Sequence, residues 1–106
     1  MEVFRKENGY EIKPGANLQG ANLEGVDLFC MDLQGANLGG ANLRSADLSG
    51  ANLGGANLRG ADLKGAILKW TNLKYANLEG ADLKYSHHKR TEFEGANLKG
   101  TILDNF

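Results

Sequence analysis

The side chains in this chain with the chemistry for catalysis or metal binding are few: His87 and His88, a single thiol at Cys30, and a spaced set of carboxylates. Neighbouring residues on an extended strand point to opposite faces, so His87 and His88 cannot close on one ion, and zinc takes three or four ligands. A nucleophile would need a base within hydrogen-bond reach, and these two are the only imidazoles. Glycine recurs at fixed spacing, but a phosphate-binding glycine loop requires a strand leading into a helix. These residues specify no catalytic, cofactor or metal site. The reading is a non-enzyme, with no cofactor.

The elements that position these residues follow from one period. From Ala16 to Asn105 the chain is eighteen pentads without an insertion, with Leu at the centre of sixteen; Ala56-Asn57-Leu58-Arg59-Gly60 is representative. On a helix five residues turn the chain by roughly 500°, which scatters the leucines around every side. On a flat strand an odd period alternates them between faces. Leu can point one way throughout only if the chain turns a corner in every pentad. The small residue two before it then shares its side, the Asn or Asp between them points outward, and Gly at the end of the turn suits positive φ. Corners of one hand close the chain into coils, which must stack to bury their lining.

Tandem A(N/D)LxG of this kind resembles the pentapeptide-repeat family, over about 85% of the chain. The resemblance implies an all-β fold, a right-handed quadrilateral β-helix with four pentads per coil, hence about 4.5 coils over residues 16–106. Residues twenty apart then stack. One side carries Asn17, Asn37, Asn57, Asn77 and Asn97, a ladder of amides able to pair along the column. The next places Glu24, Arg44, Lys64 and Lys84 beside Asn22, Asn42, Asp62 and Asp82, so its charges largely cancel. The third stacks Phe29, Ser49, Lys69 and Lys89 beside Asp27, Asp47, Ile67 and His87. Stacked pairs such as Asp27/Asp47 or Asp62/Asp82 stand about 4.8 Å apart, near the spacing of a retaining glycosidase. They lie on a convex surface, however, and catalytic sites are concave.

Departures from the repeat stand out against so regular a background. At the corner, Gly gives way to Cys30, Trp70, Tyr75, Tyr85 and Arg90. Trp70 and Arg90 are twenty apart and are expected to stack as a cation–π pair. Trp70, Tyr75, Tyr85 and Arg90 are of the types favoured at binding hot spots and form the candidate partner-binding set. At the centre, the exceptions His88 and Phe93 fall in the last layer with Leu98 and Leu103. That layer, with Phe106 able to cover part of it, is the candidate face for an end-to-end homodimer through the C-terminal coil, because exposed apolar ends mark interaction sites.

Residues 1–15 lie outside the repeat. Val3 to Ile12 reads as a hairpin turning at Asn8-Gly9, a cap that brings Val3, Phe4, Tyr10 or Ile12 onto the first coil. A pentad extrapolated backwards would put Lys13 in the bore, so the tube is expected to start at Ala16.

Net charge is −1, running from −3 over residues 1–63 to +2 over residues 64–106, which argues against a nucleic-acid binder. One cysteine excludes a disulfide framework and fits a reducing compartment; with no apolar membrane-length run and no signal-peptide core, the expectation is a cytoplasmic protein. The expected function is a non-catalytic binding or scaffold module with a protein partner. The alternative comes from the resemblance: some members of the family imitate a DNA duplex and protect or inhibit DNA gyrase.

Overall fold

A computed structural model describes residues 4–104 of the chain; Val3, Asn105 and Phe106 lie outside the described residues. Its logic is visible in one pentad, where each of the five backbone N–H groups has a defined acceptor. The Ala56 N–H donates to Leu53 O at 3.0 Å and closes the preceding corner. The Asn57 N–H reaches back one coil to Ala36 O at 2.9 Å. Leu58 and Gly60 reach forward one coil, to Asn77 O at 2.7 Å and Glu79 O at 2.9 Å. The fifth, on Arg59, donates to the side-chain Oδ1 of Asn57 at 3.0 Å. Buried or half-buried N–H groups must be paired, and this set leaves none over. Parallel bridges join Asn17 to Asn37, Asn22 to Asn42, Asp27 to Asp47 and Asp32 to Asn52, and so on to Asp82 and Ile102, always at an offset of twenty. Five residues per side and twenty per circuit make a four-sided tube.

The corner residues all have φ between 57° and 70°, the left-handed region that glycine enters at no steric cost. Inside the tube, the fourteen central leucines from Leu18 to Leu83 are at most 1% exposed, with alanines beside them. Where Thr replaces Ala, its hydroxyl is satisfied within the wall: Thr71 Oγ1 donates to Leu48 O at 2.7 Å, and Thr91 and Thr101 do the same to Leu68 O and Leu78 O.

At the N-terminal end, β1 (Lys6–Glu7) pairs antiparallel with β2 (Tyr10–Glu11). Asn8 and Gly9 between them have φ of 51° and 83°, the two positive values of a type I′ turn. Ile12 is buried at 1% exposure and Tyr10 packs against the core. The Asn8 Nδ2 donates to Asn22 O at 2.6 Å, covering an edge carbonyl of the first coil. Coil-type bonding begins slightly earlier than Ala16: Gly15 N–H donates to Gln34 O, and Ala16 N–H to Lys13 O. Lys13 keeps its side chain out of the bore, half-exposed beside Glu11 at 3.5 Å, because Ile12 fills the space.

Two substitutions in one pentad separate lining from corner. Leu58→Ala should cost about 2–5 kcal/mol, since it opens a cavity in a packed bore. Gly60 has φ of 66° and open space where a Cβ would go. Gly60→Ala should therefore cost only about 1–2 kcal/mol, from backbone conformation alone. Chemical denaturation measures both; a loss under about half a kcal/mol for Leu58→Ala would place that residue outside the core.

Candidate functional site

The outward amides serve the backbone first. Asn and Asp at the position before Leu accept the N–H two residues on, at distances from 2.9 Å at Asn52 and Asn72 to 3.3 Å at Asn17. Amide pairing between coils is secondary: Asn57 Nδ2 donates to Asn37 Oδ1 at 3.1 Å and Asn97 to Asn77 at 3.3 Å on the side read as a ladder. The same pairing occurs on two other sides, from Asn72 to Asn52 at 3.1 Å and from Asn42 to Asn22 at 3.4 Å.

The non-glycine corners are the conspicuous surface feature. Trp70, Tyr75 and Tyr85 are 64%, 67% and 64% exposed. They and Arg90 hold φ of 61–63°, which is uncommon for bulky residues and costs about 1–2 kcal/mol each. Cys30 and Ser45 share the conformation, Ser45 being a sixth such corner that the sequence reading passed over. Strain of this kind clusters at functional positions.

Four of the six non-glycine corner side chains lean toward the residue twenty further on. Cys30 Sγ lies against Gly50, Ser45 Oγ against Gly65, and the Tyr75 ring covers Gly95 so closely that a Cβ there would collide with it. Trp70 meets Arg90 instead, whose guanidinium stands 5.0 Å from the ring centroid, the stack expected from the spacing. Tyr75 also directs its hydroxyl to Glu94 at 3.4 Å, while Lys84 lies 5.4 Å over Tyr85. The four candidate residues do not form one patch. Trp70 and Arg90 share an edge, and Tyr75 and Tyr85 stand on the two flanking edges.

Around Trp70 and Arg90 the structure adds Lys69 and Lys89, and the four line a cleft of about 240 Å³. In the sequence these lysines stack twenty apart with no pattern of their own that marks a site. The signal that marks them is the loss of Asp from the column beside them, at Ile67 and His87. Elsewhere that column holds the wall tightly. Next to Ile67 the corner bond from Trp70 N–H to Lys89 O is 3.4 Å, against 2.8–3.0 Å at the other corners. No group of three His, Cys, Asp or Glu able to hold a metal ion occurs among the described residues.

The candidate dimer face lies where burial ends. His88, Phe93 and Leu103 are half-buried, Leu98 is 36% exposed and the neighbouring Ile102 50%. Ser86 Oγ lies 3.1 Å from His88 Nδ1. Phe106, the remaining member of that set, lies outside the described residues.

The family model for pentapeptide repeats matches the chain in eight copies, over residues 15–44, 31–65, 41–80 and 76–105. Among solved structures the chain is similar to the pentapeptide repeat protein Rfr23 from the cyanobacterium Cyanothece 51142. The identity is 42% and the TM-score 0.83, covering 86% of this chain and 63% of that one. It is also similar to a trypsin-treated form of QnrB1, a plasmid-mediated fluoroquinolone resistance protein, at 27% identity and a TM-score of 0.54, covering 87% of this chain and 38% of that one. The chain thus spans less than two thirds of the length of either. No curated protein matches it.

Charge on the second side is arranged as a relay. Arg44 is 3.6 Å from Asp62, and Lys64 bridges Asp62 at 3.7 Å and Asp82 at 3.3 Å. Desolvation alone would raise the Asp82 carboxyl; the Lys84 N–H, the Lys64 ammonium and the Lys84 charge outweigh it and hold the pKa below its ordinary value. A depressed folded pKa gives stability that is present above the unfolded value and is lost as pH falls through the folded one. Asp82→Asn keeps the Oδ1 acceptor and removes the charge. It should be slightly less stable than wild type at neutral pH and converge with it below 3.8. Thermal unfolding from pH 7 to pH 2 measures the gap, and a gap independent of pH would show that the carboxylate charge contributes nothing.

Proposed function

The chain belongs to the pentapeptide-repeat family, and from that premise we propose that it is a non-catalytic module that binds a protein partner through its non-glycine corners. The observation that carries this is the exposure of Trp70, Tyr75 and Tyr85 at strained corners where glycine would cost nothing. Aromatic and arginine side chains held rigidly on a scaffold supply contact area with little ordering entropy, the usual composition of hot spots. We place the module in the cytoplasm, on the single exposed thiol of Cys30. Affinity capture with wild type and with Trp70→Ala and Tyr75→Ala tests the reading. A discrete partner should be retained by wild type and lost, or weakened roughly tenfold or more, with the variants. Identical capture by all three would sink it.

A second reading, protection of a DNA topoisomerase, is kept by the similarity to QnrB1. The surface argues against it. We read the tube as about four and a half coils, roughly 22 Å at about 4.8 Å per rung. That equals about six base pairs of duplex, and the net charge is only −1. The four exposed cations of the third edge and of Lys84 do not imitate a phosphate backbone. A gyrase supercoiling assay should show no inhibition at sub-micromolar protein; inhibition there would promote the DNA mimic above the protein-binding module.

A further inference from the structure

The third side of the tube changes character half way along. At its first two rungs Asp27 and Asp47 accept the N–H groups of Phe29 and Ser49, each at 3.0 Å. At the next two rungs the acceptors are replaced by Ile67, which has no oxygen, and His87. The N–H groups of Lys69 and Lys89 consequently have no hydrogen-bond partner among the described residues. The same replacements remove the carboxylates that would neutralise this edge. Among the described residues no ion pair involves Lys69, Lys89 or Arg90, nor the separate cations Lys6, Lys84 and Lys99, whereas Arg5, Lys13, Arg44, Arg59, Lys64 and Lys74 are paired; Lys69, Lys89 and Arg90 are the unpaired cations that share one cleft. The acids on the adjoining side are engaged elsewhere, Glu92 with Lys74 at 3.4 Å and Glu94 with the Tyr75 hydroxyl at 3.4 Å.

Two stacked lysines, an arginine and two open backbone donors thus converge on residues that line a single cleft, with Trp70 as its apolar wall. Like charges on adjacent rungs repel, so the edge stores an unfavourable term that an anion would relieve. At about 240 Å³ the cleft is smaller than the roughly 300–1,000 Å³ of sites for free small ligands. It suits the ends of one or two acidic side chains.

We propose that the Lys69–Trp70–Lys89–Arg90 cleft binds an acidic segment of the partner protein, whose Asp or Glu carboxylates supply the oxygens that Asp27 and Asp47 supply on the rungs below. The inference rests on the partner-binding reading above and gives the partner its chemistry. Two vacant donors about 4.8 Å apart along the axis match successive carboxylates better than a single compact oxyanion. Carboxylates at these positions would make charge-assisted bonds, the stronger kind, to ammonium, guanidinium and N–H together. Trp70 and Arg90, already stacked, form a rigid flank against which the segment can pack.

The test uses hexa-aspartate as the probe and the fluorescence of Trp70, the only tryptophan, as one readout. Backbone amide shifts of Lys69 and Lys89 by NMR are the other. At low salt a saturable fluorescence change is expected, with both amides moving downfield as they gain acceptors, and with binding weakened roughly tenfold by physiological salt. Lys69→Glu/Lys89→Glu should abolish it, while Lys6→Glu/Lys99→Glu, with the same change in net charge, should not. The decisive variant is Ile67→Asp/His87→Asp, which restores the missing acceptors within the chain. It should fold at least as stably as wild type and lose the probe. Retained binding in that variant, an equal response to hexa-asparagine, or no saturable change up to about 1 mM peptide would overturn the proposal. Inorganic phosphate saturating the site at the same concentration as the peptide would also overturn it, in favour of a small-oxyanion site. If capture of a partner still depends on Trp70 while the probe fails, the binding module stands and its acidic ligand does not. If the probe binds and no partner depends on Trp70 and Tyr75, the reading of the corners fails instead.

Discussion

The bond from an Asn or Asp side-chain oxygen to the N–H two residues on is the constraint that the rest of the tube depends on. Four of the five N–H groups in a pentad find carbonyls by coil geometry; the fifth faces outward and has no coil partner. An acceptor one side chain long, fixed to the backbone two residues earlier, satisfies it and at the same time sets where the corner begins. This gives a physical reason for the outward position to be Asn or Asp rather than any polar residue. Where Ile67 breaks the rule, the N–H of Lys69 is left open and the neighbouring corner bond stretches to 3.4 Å.

The second constraint is the positive φ of every corner. It makes glycine the low-energy choice, and it aims any other side chain along the tube toward the next corner in its column. Space there decides what is tolerated. Cys30, Ser45 and Tyr75 each find a glycine above them, so the large ring of Tyr75 lies flat where any Cβ would obstruct it. Trp70 has Arg90 above it, and the two coexist because a planar guanidinium can stack on an indole. A bulky corner therefore selects its neighbour twenty residues later, a coupling that neither position shows alone.

Much of this was legible in the sequence because a period of five with a single apolar centre permits few geometries. The inward leucines, the corner in every pentad and the Asn8-Gly9 turn follow from spacing and residue type, while the offset of twenty, and with it the Trp70–Arg90 stack, follows from the resemblance to the pentapeptide-repeat family. Position in the repeat did not reveal which donor an outward amide oxygen would serve first. On the ladder from Asn17 to Asn97 pairing between coils does occur, from Asn57 to Asn37 and from Asn97 to Asn77, but every amide oxygen of the column also accepts the N–H two residues on, a bond that the ladder reading did not include. Thr71 was equally silent, since a hydroxyl in an alanine position becomes acceptable only once Leu48 O is known to lie beside it. Lys69 and Lys89 escaped the candidate site for a related reason: what distinguishes them is not their charge but the absence of an oxygen two residues earlier.

The distribution of irregularity along the tube has an energetic rationale. In a stacked solenoid stability is close to a sum of neighbour terms, so a run of consensus coils can carry adjoining coils that are strained or incompletely bonded. The pentads from Ala36 to Gly65 hold the Asn or Asp acceptor without exception and depart from corner glycine only at Ser45. Trp70, Tyr75, Tyr85 and Arg90, the open N–H groups of Lys69 and Lys89, and the unpaired side chains of Lys69, Lys89 and Arg90 lie beyond that run. Each is unfavourable for the isolated chain: a strained corner, an unmet donor, or like charges on adjacent rungs. They also share one remedy, a partner that brings acidic oxygens and covers aromatic surface. Trp70, Arg90, the two lysines and their open N–H groups meet on one edge, with Tyr75 and Tyr85 on the edges that flank it, and costly departures answered by a single ligand are better explained by binding than by relaxed selection.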